Sequence, residues 1–212
     1  MHITVIGASR GIGRATVARA LAAGHAVRAV ARSAGRLDEA PGLDRVEADA
    51  TVPADMVRAV AGTDAVILTL GVPRDIRVLL PTTLFSDAAR AVIPAMQAAG
   101  VRRLVAVTGF GAGDSAAALS SLERAQFTLL LGRAYADKAV EERLIRESGL
   151  DWTIARPGIL TDNAASGRYE VLVRPETWRQ GVISRADVAD YLVRAVEEGL
   201  HLHETPALQR RG

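Results

Sequence analysis

The chain has 212 residues, 49% of them hydrophobic and 24% charged, with a formal net charge of +2. That is enough apolar material for one packed domain and excludes a disordered chain; with no basic run of five or six residues, no nucleic-acid partner is expected. No cysteine is present, which excludes disulfides, thiol nucleophiles and Cys-ligated zinc.

In chain order, ITVIG (3–7) reads as a buried strand and GRATVARALAAG (13–24) as a helix. AVRAVAR (26–32), RVEADA (45–50), AVILTLG (65–71), RLVAVTG (103–109) and WTIARPG (152–158) are further strands. Their near-continuous apolar character suits a sheet covered on both faces. Gly24, Gly62, Gly100 and Gly149 each stand just before the next strand, where a helix stop enters left-handed space. SRAD (184–187) has the form of a capping box and opens the helix ADVADYLVRAVEEG. The H-x-H pair His201 and His203 is read as a solvated tail, and no metal site is expected.

Strand–helix alternation with short connections predicts an α/β fold, a doubly wound parallel sheet in a three-layer α/β/α arrangement. One domain, 1–212, accounts for the length. Residues 111–133 and 159–183 break the alternation after strand ends and are read as the substrate-side segments. Leu119, Leu122, Phe127, Leu129, Leu130 and Leu131 suit a lid, a dimer contact or an extra core helix. Asp162 and Asn163 either line a substrate end or form a turn. No apolar run reaches the roughly 18 residues of a membrane span, and the first strand follows without a signal-peptide pattern. The expectation is a soluble cytoplasmic monomer or homodimer with a small-molecule substrate and no membrane partner.

VIGASRGIGRATVARAL carries the chemistry. Gly7, Gly11 and Gly13 form G-x-x-x-G-x-G between a strand and a helix. One glycine allows the tight turn, one lets a pyrophosphate approach the backbone, and one allows close helix–strand packing. The helix start then faces phosphates, so a dinucleotide is expected. An acidic residue ending the second strand would select NAD; the chain has Arg32 and Ser33 there, with Arg10 in the loop. These residues suit a 2′-phosphate and predict NADP(H). Asp49 either meets the adenine or caps the helix near Pro53, and Gly71 either lets backbone pass the ribose or makes a turn.

VIGASRGIGRA, DAVILTLG, VAVTGFGAGDS and KAVEERLIRESGLDWTIARPG together resemble the atypical short-chain dehydrogenase/reductases with an NAD(P)H-binding domain, over roughly residues 1–198. That group includes biliverdin reductase B-like flavin reductases and NmrA-like proteins. The resemblance implies a Rossmann fold and hydride transfer from NADPH to a flavin, quinone or other conjugated or carbonyl acceptor. It implies cofactor contacts at Gly7, Ser9, Arg10, Gly11, Ile12, Arg32, Asp49, Ala50, Leu70 and Gly71, with Thr108, Lys138 and Pro157 around the nicotinamide. Gly109 departs from the flavin reductase pattern, in which a serine follows the threonine; Thr108 or Ser115 could take its place.

In AYADKAVEERL, Tyr135 and Lys138 are three residues apart, whereas short-chain dehydrogenases use four. One residue rotates a helical side chain by about 100°. Lys138 in the usual lysine place therefore puts Ala134 in the tyrosine place, and Tyr135, off the standard donor position, either packs beneath the 111–133 segment or makes a displaced catalytic contact. Lys138 is expected to bond the nicotinamide ribose, or else to make an i,i+4 pair with Glu142. A planar acceptor needs no strong acid, which favours a reductase. A cofactor-sensing regulator of the NmrA-like type and an epimerase or dehydratase on the same fold are the alternatives.

Overall fold

The β-branched runs form six parallel strands: β1 (His2–Ile6), β2 (Ala26–Ala31), β3 (Leu43–Glu47), β4 (Ala65–Leu68), β5 (Arg103–Val107) and β6 (Asp151–Pro157). The structure, a computed structural model, describes residues 1–71 and 80–211, without the side chains of 121–130. Among the described residues, five helices connect the strands: α1 (Gly11–Ala22), α2 (Pro53–Val60), α3 (Leu84–Ala98), α4 (Ser121–Arg146) and α5 (Arg185–Glu197). Gly24, Gly62, Gly100 and Gly149 all have φ between 69° and 82°, as helix stops require.

The sheet order is β3-β2-β1-β4-β5-β6, followed by two strands not foreseen, β10 (Ala207–Arg210) and β8 (Tyr169–Leu172). Alternate side chains serve opposite faces. Ile6, Met56, Leu68, Val92 and Leu104 pack in one core; Ile3, Val5, Val17, Ile67 and Leu192 pack in the other. The result is a three-layer, doubly wound Rossmann fold. The chain reverses direction across the sheet between β1 and β4, and the crevice beyond the strand ends opens at that point.

The sheet is mostly parallel, as expected, with β8 antiparallel to β10 at its edge. One expectation needs correction: the C-terminus is not a solvated tail. His201 Nδ1 lies 2.9 Å from the Tyr191 hydroxyl, His203 Nε2 lies 3.1 Å from the Leu150 carbonyl, and the chain then enters the sheet as β10. Strands of four residues carry too little periodicity to stand out in sequence.

The irregular segments are also structured. In 111–133, a 3-10 turn at Gly113–Ala118 leads into α4, so the Tyr–Lys helix starts well before AYADKAVEERL. Leu119 packs with Phe110 and Ala207, while Leu122, Phe127, Leu129 and Leu130 lie outside the described side chains. In 159–183, β7 (Ile159–Thr161) pairs in parallel with β9 (Val182–Ser184). Half of the predicted capping box is present: Ser184 Oγ accepts from the Asp187 amide at 2.9 Å, while the Asp187 carboxylate accepts from the Ser184 hydroxyl and not from its amide. Asp187 also accepts from Ser166 N (2.8 Å) and Gly167 N (2.9 Å), which ties the segment to α5. Among the described residues, no helix is long and apolar enough to cross a membrane.

Candidate active site

A cleft of about 560 Å³ runs across the C-terminal strand ends, from Asp49 and Ala50 after β3 to Pro157 at the end of β6. Its size is that of a small-molecule or cofactor site. The glycine loop forms its floor. Gly7 has φ 86°, and a Cβ there would stand 2.9 Å from the Thr69 carbonyl oxygen. Gly13 lies beneath the loop, outside the cleft lining, where a Cβ would run into the Gly7 carbonyl. The two glycines let α1 dock directly on β1, so the first turn of α1 opens into the cleft. Ser9, Arg10, Gly11 and Ile12 line this part.

Towards β2 and β3, the lining includes Arg32, Ser33, Asp49 and Ala50. Asp49 does not cap α2, whose N-cap residue is Val52. Its Oδ1 instead accepts from Thr51 N (2.9 Å) and Thr51 Oγ1 (2.8 Å). Those bonds, led by the backbone one, outweigh burial and with the charge of Arg32 hold the carboxyl below its ordinary value. Leu70 and Gly71 follow β4 along the same wall.

Towards β5 and β6, the lining contains Thr108, Gly109, Tyr135, Lys138 and Pro157. The Lys138 side chain is only 3% exposed, so it is no surface lysine. Its Nζ donates to the Val107 carbonyl (3.2 Å) and the Leu70 carbonyl (3.4 Å), and sits 4.0 Å from the centre of the Phe85 ring. Its acidic neighbour is Glu141, 3.8 Å away and three residues on. Burial lowers the Lys138 pKa against the pull of Glu141, Glu142 and Asp137. Burial also pushes Glu141 up to about 8, against the pull of Lys138. Glu142, the expected partner, instead accepts from Thr108 Oγ1 (2.7 Å) and Arg156 Nε (2.9 Å).

Tyr135 reaches the cleft despite its spacing. Residues three apart on a helix share a face, and the phenol extends far enough to lie against Gly109. A Cβ on Gly109 would meet the Tyr135 hydroxyl, and would stand 3.0 Å from the ring Cζ. The ring thus fills the space that a serine side chain after Thr108 would need. Burial pushes the phenol up to about 12, so it holds its proton. Ser115 stands apart from the cleft lining, fully buried. It donates to the Ala112 carbonyl (2.6 Å) and accepts from Gly111 N (3.0 Å).

Gly109→Ser should therefore destabilise the protein by about 1–3 kcal/mol through overpacking. In a Tyr135→Ala background the same change should cost less than about 0.5 kcal/mol. Urea denaturation of the four proteins measures this; equal costs in both backgrounds would disprove the mutual exclusion.

Several cleft residues escaped the sequence reading: Thr69, Leu84, Gly158, Leu160 and Arg185. Leu84 and Leu160 add apolar surface at the walls. Arg185 lies inside the SRAD capping box, a motif that signals a helix start and says nothing about the neighbouring loop.

The profile of the NAD(P)H-binding family matches residues 7–199. The chain belongs to that family. A solved relative, the anaerobilin reductase ChuY of Escherichia coli O157:H7, is 27% identical with a TM-score of 0.81, over 99% of this chain and 97% of that one. An uncharacterized chloroplastic protein of Arabidopsis thaliana is 29% identical over 92% of this chain and 71% of its own. The uncharacterized sugar epimerase YhfK of Bacillus subtilis is 28% identical over 82% of this chain and 77% of its own. The geometry fits NAD(P)H. The Gly7–Gly13 cradle would be closed by a single Cβ, and the cleft spans the switch point of the sheet where such folds hold dinucleotides.

Proposed function

We propose that the protein is an NADPH-dependent reductase that transfers hydride to a planar, conjugated small molecule such as a flavin, a quinone or a conjugated carbonyl compound. The observation that carries the reading is the pair of groups at opposite ends of the cleft. Arg32 stands where an NAD-selecting fold places a carboxylate, and Lys138, the only lysine in the chain, is buried at the other end.

In this reading Gly7, Ser9, Gly11 and Ile12 hold the pyrophosphate, and Arg10, Arg32 and Ser33 hold the 2′-phosphate. Asp49 and Ala50 flank the adenine, and Leu70 and Gly71 pass the ribose. Lys138 bonds the nicotinamide ribose from a Nζ already anchored on two carbonyls. Thr108 and Pro157 border the carboxamide. When bound, NADPH supplies the hydride. Thr108 commits its hydroxyl proton to Glu142, and Tyr135 keeps its own, so neither hydroxyl is a readily ionised acid. An acceptor that draws its proton from water after reduction suits such a site. Within one domain, 1–212, Leu160 of the 159–183 segment gives the cleft a wall on the acceptor side, whereas no described residue of 111–133 lines it.

The test is NADPH oxidation against a panel of flavins, quinones and conjugated carbonyls. Turnover with at least one planar acceptor is expected. Tight NADPH binding without turnover on the whole panel would overturn the reductase and favour a cofactor sensor. The likeness to YhfK supports a second reading, a sugar epimerase. That reading predicts interconversion of a sugar with no net consumption of the dinucleotide.

Cofactor choice is tested separately. Arg32→Ala should weaken NADPH binding about tenfold or more, the worth of one charge-assisted phosphate contact, and change NADH binding by less than about threefold. Fluorescence titration of both dinucleotides reads this, and equal losses would sink the preference for NADPH.

A further inference from the structure

The parallel ladder of β7 and β9 ends on the register pair Thr161↔Ser184. One residue further along each strand stand Asp162 and Arg185, and they form an ion pair, Nη1 to Oδ1 at 2.7 Å. The ladder therefore fixes where this guanidinium stands, and it stands over the glycine loop. A Cβ on Gly11 would lie 3.8 Å from Arg185 Nε and 3.9 Å from its Cδ. Arg185 lines the cleft with Gly11 and is largely covered, its side chain 17% exposed, whereas Asp162 is 77% exposed.

The placement is held from behind. The Arg19–Asp190 ion pair (2.8 Å) ties α5 to α1, Ser184 caps α5, and the Asp187 carboxylate in its first turn accepts from the amides of Ser166 and Gly167. Two sources of positive potential thus converge on one point of the cleft: the first amides of α1 and the Arg185 guanidinium. Among the described residues, the Nη1 contact to Asp162 is the hydrogen bond Arg185 makes. A guanidinium carries five N–H donors, so Nε and Nη2 remain for a second anion.

We propose that Arg185 is a phosphate clamp that closes over the dinucleotide pyrophosphate from the side opposite the glycine loop, with Asp162 holding it in place. The inference rests on the dinucleotide reading of the cleft and adds a specific contact to it. A pyrophosphate shared between loop amides and Arg185 ties the 159–183 segment to cofactor occupancy through the Arg185–Asp162 pair. Arg185 acts on the part common to NADPH and NADH, whereas Arg32 acts on the 2′-phosphate alone.

The experiment measures dissociation constants of NADPH, NADH and adenosine 2′-monophosphate for the wild type, Arg185→Ala, Arg185→Lys and Asp162→Asn. Circular dichroism and a melting curve accompany each variant. Arg185→Ala should weaken both dinucleotides about tenfold or more, by the same factor, and leave adenosine 2′-monophosphate within about twofold. Arg185→Lys should recover part of the loss, because a point charge replaces a fork. Asp162→Asn removes the ion pair but keeps the guanidinium, so it should weaken dinucleotide binding far less than Arg185→Ala. Dinucleotide affinities unchanged in Arg185→Ala, or weakened for NADPH alone, would overturn the clamp. So would an Asp162→Asn loss equal to that of Arg185→Ala, since the ion pair would then serve only the structure. A wild type that binds neither dinucleotide would refute the cofactor reading itself, a result distinct from all of these.

Discussion

Arg156→Ala should destabilise the protein by about 3–5 kcal/mol, the cost of leaving buried charge uncompensated. Arg156 sits on β6 with its side chain fully buried. Its Nη2 contacts Glu142 Oε2 and Asp114 Oδ1, each at 2.5 Å, and its Nε donates to Glu142 Oε1 at 2.9 Å. Glu142 is itself buried, so truncating the arginine leaves its carboxylate with only the Thr108 hydroxyl (2.7 Å) and a longer contact to the half-exposed Arg146 (3.6 Å). At roughly 2–4 °C per kcal/mol for a chain of this size, the melting point should fall by about 10 °C. Replacing both partners with leucine should recover much of the loss, because neither charge then remains to be desolvated. Asp114 is half exposed, and Asp114→Asn should cost no more than about 1 kcal/mol. Burial raises the Asp114 carboxyl, but Arg156 and Arg146 outweigh it and hold the pKa below the usual 3.8. Its contribution to stability is therefore present above that value and is lost as the pH falls through the lowered one. Urea denaturation at neutral pH measures all four proteins; a loss under about 1 kcal/mol in Arg156→Ala would show that the network is not essential to the fold.

This network also bears on the site. Thr108, at the end of β5, donates to the same Glu142 oxygen that Arg156 Nε holds. The wall of the cleft beside Lys138 is thus braced from within by an arginine, a glutamate and a threonine on three elements. Nothing in the local sequence announces it. Glu142 reads as one more charge in DKAVEERLIRE, and Arg156 as an interruption in a strand. Their meeting depends on the packing of α4 against β6, which no residue spacing encodes.

What the sequence did encode was periodic or conformational. All the core strands except the edge strand β3 carry near-continuous apolar runs, and the glycine stops fall where left-handed backbone is needed. The glycine loop was legible because each glycine answers a local steric demand: Gly7 clears the Thr69 carbonyl and Gly13 clears Gly7. The four short strands after residue 158 were not legible, since three or four residues hold no clear period. Helix geometry alone put Tyr135 off the standard donor position and left open whether it packs or reaches the cleft. Helix geometry fixes Cβ directions, but the length of the phenol and the missing side chain at Gly109 bring the hydroxyl back. Arg185 was hidden for a different reason: its importance comes from a ladder that places it above a loop far away in sequence.

In the proposed reductase, Lys138→Arg should be as damaging to turnover as Lys138→Met, each lowering it by about a hundredfold or more through loss of positioning at the proposed nicotinamide end. The chain carries 26 Lys and Arg residues, and Lys138 is its only lysine. Wherever the chain needs a cation on its surface or in a buried ion pair, it uses arginine. The exception is the one basic group held between the Val107 and Leu70 carbonyls, over the Phe85 ring, at 3% exposure. A compact amine with three rotatable donors fits there, whereas a planar guanidinium is wider and forks in fixed directions. Lys138→Met approximates the volume and leaves Glu141 behind, but burial has already pushed that carboxyl up to about 8 and its proton stays on at neutral pH. Lys138→Met should therefore melt near the wild type while losing turnover, a separation that a purely structural lysine would not show. Steady-state NADPH oxidation on the best acceptor, beside melting curves, decides it. Activity kept in Lys138→Met would remove Lys138 from the nicotinamide. Activity kept in Lys138→Arg alone would mean that a positive charge there suffices and the amine's small size does not matter.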